Sequence, residues 1–405
     1  MALEIRAITD DEIPAYRAAV VATFGDDDDN DPGGPARLRA LIAPAQLWAA
    51  FDGGTVVATA GTFDHAIAVP GGGQIAMAGL TMVMVRPTHR RRGLLRELMR
   101  LHLDDARGRG FPISGLWASE APIYGRFGYG IAAEAEAYEI EHAHALAFAD
   151  ARELDEVHPL DEERARRELP AIYARAIANR PGALIRSEVW WRERRFLEAP
   201  FVRGGASRRR HVVASRGGEL VGYVQFRQRP SSLGGVPAGR VEIVELVAAD
   251  PRAEATLWQF VLRVDLFPAV TWWNAPVDDL LPWLVADPRR IKRSRGDTLW
   301  LRLDDVPAAL AARRYAIDGR LQLAIDGAAW ELAVEGGRAS CTPLAAGPGA
   351  AALRLSRAAL GSLYLGAFSA SRLARAGHVH GDPASIASAD HMFASAVAPW
   401  CPEIF

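Results

Sequence analysis

Apolar and polar positions alternate along this chain in two periods, and the periods take turns. From Asp10 to Thr23 the spacing is helical, with Ile13, Tyr16 and Val20 on one face and Asp10 placed to cap the first turn. Leu47 to Phe51 and Thr55 to Phe63 predict a hairpin turned at Asp52-Gly53-Gly54. Ile75 to Val85 is a long apolar strand that Arg86-Pro87 ends. Gly93 to Ala106 is an amphipathic helix, with Leu94, Leu98 and Leu101 on one face and Leu95 and Met99 beside them. Ile113 to Ala118 adds a strand. This alternation predicts an α/β (α+β) layer architecture around a mixed sheet.

The order then returns. Asp161 to Ala178 is helical, His211–Ser215 and Leu220–Arg227 form a hairpin at Gly217-Gly218, Val241–Val247 is a buried strand, and Ala253–Val264 is a helix. Hairpin, long strand and helix repeat the pattern of residues 47–106, an internal duplication of the fold. The copies differ between strand and helix. The first has Arg90-Arg91-Arg92-Gly93. The second has Ala248-Ala249-Asp250-Pro251-Arg252-Ala253, with no glycine and an acid where an anion would sit. A third stretch carries strand patterns at Thr298–Leu303, Arg320–Ile325 and Ala329–Val334, then helices at Arg357–Tyr364 and Ser369–Ala376. The domains expected are 1–148, 149–298 and 299–405. The closing run, Ala398-Pro399-Trp400-Cys401-Pro402-Glu403-Ile404-Phe405, is rigid and apolar, unlike a frayed tail, and predicts docking on the body of the protein.

Composition narrows the function. Half of the 405 residues are hydrophobic and 24% are charged, the balance of a globular protein. Lys+Arg 47 against Asp+Glu 49 gives a net charge of -2, which argues against nucleic acid as the partner. Two cysteines, Cys341 and Cys401, cannot staple a chain of this size and point to a reducing compartment. No signal segment opens the chain, and the longest apolar runs fall far short of the ~20 residues that span a bilayer. No membrane partner and a cytoplasmic location are therefore expected.

The chemistry concentrates at Leu80-Thr-Met-Val-Met-Val-Arg-Pro-Thr-His-Arg-Arg-Arg-Gly-Leu-Leu. A strand stops, a basic turn with one glycine follows, and a helix begins. A helix N-terminus offers unpaired N–H groups and about half a positive charge. Gly93 admits close backbone approach, and Arg90 to Arg92 add bidentate donors, a construction suited to a pyrophosphate. The bland alternative is a solvated basic helix start. The acidic loop Asp26 to Asp31 is either a collector of cations or a solvated surface loop, and it lacks the oxygen spacing of a calcium site. His142, His144, His378 and His380 have no partners at metal-binding spacing, so no metal is expected. Trp190-Trp191 and Trp272-Trp273 read mostly as core, with one of the first pair free to wall a substrate cavity.

Arg90-x-x-Gly93-x-Leu95 resembles the coenzyme-A loop of the GNAT acyl-CoA N-acyltransferases, with leucine in place of the last small residue. Three runs are similar to the Eis group of that class, in which leucine is usual there: Pro87-Thr-His-Arg-Arg-Arg-Gly-Leu-Leu, Ala118-Ser-Glu-Ala-Pro-Ile-Tyr-Gly-Arg-Phe-Gly-Tyr-Gly, and the closing Pro399-Trp-Cys…Phe405. The resemblance implies two tandem GNAT folds with mixed sheets, the second lacking the CoA loop, then a sterol-carrier-protein-like α+β domain. It implies acetyl-CoA as cosubstrate and an amine small molecule, aminoglycoside-like or a lysine side chain, as acceptor, in a homohexamer. Val83, Met84 and Val85 would pair with the pantetheine arm. Arg90, Arg91, Arg92, Gly93, Leu94, Leu95 and Arg96 would cradle the pyrophosphate, with Ser119 and Glu120 beside it. Tyr124 matches the general acid, with Tyr129 as rival. The α-carboxylate of Phe405 matches the general base, and Phe24 and Asp26 would border the amine. The alternative is a binding protein for an apolar ligand in which the GNAT folds are vestigial.

Overall fold

From Glu4 to Ile131 the chain forms β1 (Glu4–Ala7), α1 (Ile13–Thr23), α2 (Gly34–Leu41), β2 (Leu47–Asp52), β3 (Thr55–Val69), β4 (Gly73–Val85), α3 (Leu94–Gly108), β5 (Ile113–Trp117), α4 (Ala121–Tyr124) and β6 (Gly130–Ile131). Next come β7 (Glu134–Ile140), β8 (Glu156–Leu160), α5 (Glu162–Ala176), β9 (Arg210–Arg216), β10 (Glu219–Arg229), β11 (Arg240–Ala248), α6 (Pro251–Val261), β12 (Ala269–Pro276) and β13 (Lys292–Asp297). The last part holds β14 (Leu299–Leu303), α7 (Val306–Ala312), β15 (Gly319–Ile325), β16 (Ala328–Glu335), β17 (Arg338–Pro343), β18 (Leu353–Leu355), α8 (Arg357–Tyr364), α9 (Ala370–Arg375), β19 (Val379–Gly381) and α10 (Pro383–Phe393). The structure, a computed structural model, describes residues 3–25, 31–345 and 347–405.

Two mixed sheets carry the duplication. The first runs β1-β2-β3-β4-β5-β14-β6, the second β8-β9-β10-β11-β12-β7-β13. The parallel pair falls at the same place in each, β4 with β5 and β11 with β12. Each sheet takes its sixth strand from a distant part of the chain. Thr298–Leu303, expected to open the third stretch, instead lies between β5 and β6, pairing Leu299 with Trp117 and Trp300 with Ile131. β7, which directly follows β6 in sequence, pairs in the second sheet with β12 and β13. Pairing over such separations is chosen by tertiary fit, which local periodicity does not encode. A third sheet, β17-β16-β15-β18-β19, is covered by α7, α9 and α10, while α8 packs on β14 and β6.

Contacts divide the chain into two units. One comprises the chain up to Ala133, Pro181–Arg195 and Thr298–Phe405; the other comprises Glu134–Arg180 and Phe196–Asp297. In the first unit the two-residue period of β2 splits its side chains between two cores. Leu47, Ala49 and Phe51 join Ile13, Tyr16 and Val20 of α1 in a core that continues into the third sheet through Leu301, Leu303, Leu321 and Phe393. Trp48 and Ala50 join Leu94, Leu98 and Met99 of α3 on the opposite face. The first helix is capped differently from expectation. A 3-10 turn, Asp10–Glu12, leads into α1; Thr9 is its N-cap, with Glu12 accepting from the Thr9 N–H at 2.9 Å, while Asp10 turns away to Arg39 at 2.7 Å.

In the second unit, buried Asp279 lies beside half-buried Glu254. Asp279 accepts from Trp258 Nε1 at 3.0 Å and from the Leu281 N–H at 2.9 Å; Glu254 accepts from the Leu280 N–H at 2.7 Å. Burial, and then each acid's effect on the other, push the Glu254 carboxyl well above its ordinary range. A carboxyl raised in the folded state contributes stability that is complete below the unfolded value, near 4, and lost as pH rises through the folded value. The wild-type Tm should therefore fall as pH rises from about 4.5 to about 8 and level off above that. Glu254→Gln, which keeps an acceptor without the charge, should flatten that fall. A thermal melt series showing parallel slopes for both proteins would contradict the raised Glu254 carboxyl.

Candidate active site

The site begins at a fault in β4. Thr59 pairs with Met84 but Gly61 pairs with Thr81, so the ladder slips by a bulge. Met82 takes the left-handed conformation, φ 51°, and Thr59 Oγ1 donates to its carbonyl at 2.6 Å. A Cβ at Gly61 would lie 2.8 Å from Leu47 Cδ2, so any larger residue there would push the Leu47 side chain aside. On its other edge β4 pairs with β5 only from Met77 to Gly79, opposite Ile113 to Gly115. Beyond that point the two strands part, and a notch opens beside Val83, Met84 and Val85.

The loop after β4 faces the same notch. Arg91 (φ 63°) and Gly93 (φ 82°) both have left-handed backbones, a conformation that costs a non-glycine residue roughly 1–2 kcal/mol. A side-chain carbon added at Gly93 would meet no other atom within 4 Å, so an approaching ligand has room. No side chain caps α3, and its first-turn N–H groups remain available for an anion. The duplicated site is closed by contrast. Asp250 caps α6, accepting from the N–H groups of Arg252 and Ala253 at 3.0 Å each, and Arg216 holds its oxygens at 3.0 and 3.1 Å. A carboxylate already occupies the anion position there.

The notch and loop bound one cavity of about 940 Å³. It is lined by Val83, Met84, Val85, Arg90, Arg91, Gly93, Leu94, Leu95, Arg96, Ser119, Glu120, Tyr124 and Phe24, together with Thr23, His89, Ile123, Arg126 and Phe127. Arg92 is not in the wall; its charge acts on Asp52, which also bonds His89 Nε2 at 3.1 Å. Asp26 lies outside the described residues. Asp31 is buried and bonded to Arg17 and Arg37.

Tyr124 and its rival separate cleanly. Tyr124 lies in the cavity wall, 4% exposed. Burial raises its phenol above the ordinary value, and a hydrogen bond from Ser119 opposes the rise. Tyr129 is fully buried outside that wall. Its hydroxyl meets His102 Nε2 at 3.1 Å, and His102 Nδ1 meets Thr62 Oγ1 at 2.7 Å. Burial, followed by the nearby arginines Arg109 and Arg302, pulls the His102 imidazole down to about 3, so it stays neutral.

The closing run is docked, as its composition predicted. Trp400, Cys401 and Glu403 are buried, and the Trp400 N–H donates to Pro181 O at 2.8 Å. Phe405 is not in the cavity wall. Its ring stands edge-on to His65 at 5.0 Å, and Phe63, Trp190 and Met82 belong to the same core. That core lies on the face of β4 opposite the one carrying Leu94 and Tyr124. Trp190 is thus core beside Phe405, while of the other pair Trp272 is buried and Trp273 is 53% exposed. Thr23, His89, Ile123, Arg126 and Phe127 line the cavity although sequence reasoning did not single them out; all but Thr23 stand inside two of the three runs that carried the resemblance.

Among the described residues no three His, Cys, Asp or Glu side chains are placed to share a metal ion, and no helix is long and apolar enough to cross a membrane. The acetyltransferase (GNAT) domain family matches residues 4–132, a second such domain matches 182–303, and a sterol carrier protein domain matches 306–402. The class is therefore that of the acetyl-CoA-dependent N-acetyltransferases with an amine acceptor. An uncharacterized N-acetyltransferase of Streptomyces coelicolor is 40% identical over 361 residues, 86% of each chain. N-acetyltransferase Eis of Mycobacterium bovis is 37% identical over 337 residues, 80% of this chain and 79% of its own. The crystal structure of Eis1 from Mycobacterium abscessus superposes with a TM-score of 0.83 at 30% identity, covering 99% of this chain and 100% of that one. The chain belongs to the Eis N-acetyltransferases.

Proposed function

We propose that the enzyme moves an acetyl group directly from acetyl-CoA to a primary amine of a cationic small molecule, aminoglycoside-like in character. The observation that carries this reading is that the β4 notch, the uncapped start of α3 and the Tyr124 side chain all border one cavity. Backbone groups of Val83 to Val85 would hold the pantetheine arm as an added strand would. Arg90, Arg91 and the first turn of α3 would hold the pyrophosphate. When bound, acetyl-CoA supplies an acyl group already activated as a thioester.

The chain's own groups then handle protons. An alkyl ammonium, with a pKa near 10, must lose a proton before it attacks. Phe405 packs on the far face of β4 beside Gly79, where β4 and β5 part, and its α-carboxylate would attract that cation through the gap and take the proton directly or through a water. Tyr124, its phenol raised by burial, keeps its own proton at neutral pH and donates it to the departing sulfur. Exposed Phe24 at the end of α1 offers an aromatic face to a cation. Asp31 is committed to Arg17 and Arg37; Asp26, which the resemblance to the family points to, would supply the acidic pull on the acceptor. The reading includes a homohexameric assembly.

Thiol release from acetyl-CoA across a panel of amines tests it. Release should be fastest with polyamine-bearing cations and absent with neutral or anionic acceptors. Titration calorimetry showing no heat with acetyl-CoA would overturn the reading and favour a carrier of apolar ligands.

A further inference from the structure

The turn that brings Tyr124 and Phe127 to the cavity is held by a side chain from a distant strand. Tyr124 ends α4, a 3-10 turn follows over Gly125–Phe127, and Gly128 closes it with a left-handed backbone, φ 85°. The Gly128 N–H donates to Gly125 O at 3.0 Å, and the Tyr129 N–H donates to Tyr124 O at 3.3 Å. A turn this short leaves its last carbonyls without partners of its own. Arg302 of β14, 175 positions further along the chain, supplies one: its Nη1 donates to the Phe127 carbonyl at 2.5 Å. A Cβ at Gly128 would lie 2.5 Å from that same nitrogen, so the guanidinium rests directly on the backbone of the turn.

The guanidinium is itself fixed. Its Nε donates to Asp304 Oδ1 at 2.7 Å, and Ser114 Oγ of β5 donates to Asp304 Oδ2. The side chains of Arg302 and Asp304 are 17% and 8% exposed, so water competes little for these bonds. Arg357, at the start of α8, donates to the carbonyl of Leu303 and so steadies the strand that carries Arg302. Arg302, Asp304 and Ser114 all stand outside the cavity wall, whereas Ile123, Tyr124, Arg126 and Phe127 of the turn stand in it.

We propose that Arg302, held by Asp304, is a positioning residue for proton donation: by fixing the Phe127 carbonyl it keeps the turn closed and the Tyr124 hydroxyl aimed into the cavity. The proposal rests on the reading of Tyr124 as the general acid. A brace that served stability alone would lower the Tm without regard to what stands at position 124. A positioning residue loses its effect on turnover once the hydroxyl it positions is gone, because residues that act as a unit are not additive.

Full-length variants test it. Arg302→Met should lower kcat by about ten-fold or more, the loss expected of one charge-assisted hydrogen bond, and leave the KM for acetyl-CoA unchanged. Arg302→Lys, which keeps the charge but not the planar fork, should recover part of that rate. In a Tyr124→Phe background, Arg302→Met should lower kcat by about two-fold at most. An equal factor in the two backgrounds, a wild-type kcat in Arg302→Met, or a loss confined to KM overturns the proposal. Should Arg302→Met fail to fold because Asp304 is left buried without its partner, Arg302→Met/Asp304→Asn removes both charges and carries the same expectations. Tyr124→Phe alone turning over at the wild-type rate would instead remove the acid reading itself, whatever Arg302 does.

Discussion

Tyr124→Phe is expected to lower kcat by roughly 10²–10⁴-fold, the range a positioned general acid contributes. The KM for acetyl-CoA and the Tm should hardly move. Phenylalanine keeps the ring, and with it the edge-on packing against Tyr129 at 6.3 Å and the contacts of the α3 core. Only the hydroxyl is removed, and with it the hydrogen bond with Ser119. The wild-type profile should carry the same signature. The acid form is the active form, and burial raises its titration above the ordinary value near 10. Turnover should therefore show no descending limb below pH 9; a descent starting earlier would take the role from Tyr124. Tyr129→Phe is the matched control. It strands His102 Nε2 in the interior, so it should cost about 1–3 kcal/mol of stability and leave kcat near wild type.

How far the sequence carries this picture depends on the range of the interaction involved. Arg357–Tyr364 is a helix over the span its periodicity indicates, and α3 buries Leu94, Leu98 and Met99 as its spacing requires. The anion loop is legible because three local features coincide at Gly93: a strand end, a positive-φ glycine and a helix start. The closed state of the second copy is legible for the same reason, since Asp250 caps within its own turn. Other features depend on distant partners. β3 runs on to Val69, past Phe63 where the apolar pattern breaks, because Asp64 and His65 still find partners across the hairpin in Ala78 and Met77. β14 joins the first sheet through Trp117 and Ile131, choices invisible in its own five residues. Arg194 reads as one charge in an arginine-rich turn until Ile404, 210 positions away, is brought to it. The cavity wall was largely readable, and the support beneath the closing residues was not.

Gly93→Asp should raise the Kd for acetyl-CoA by about 10²-fold or more. The substitution places at the start of α3 the carboxylate that Asp250 places at the start of α6, turning the open copy into an analogue of the closed one. Two effects add. The new charge meets the helix N-terminus before the pyrophosphate can, and it repels the phosphates that still approach. Losing one charge-assisted contact of about 1.5–3 kcal/mol already corresponds to roughly 10–10²-fold in affinity. The fold should survive, because aspartate enters the left-handed region more readily than most residues and the added carbon meets no atom within 4 Å. The left-handed backbone costs aspartate about 1–2 kcal/mol and the helix N-terminus returns only about 0.3–1 kcal/mol, so the Tm should fall slightly while binding is lost. Gly93→Ala separates strain from charge. It shares the backbone conformation but brings no anion, and it should lose far less affinity than the aspartate variant. Equal losses in calorimetric titration would mean that backbone geometry at residue 93, and not the vacant anion position, distinguishes the working copy from its silent duplicate.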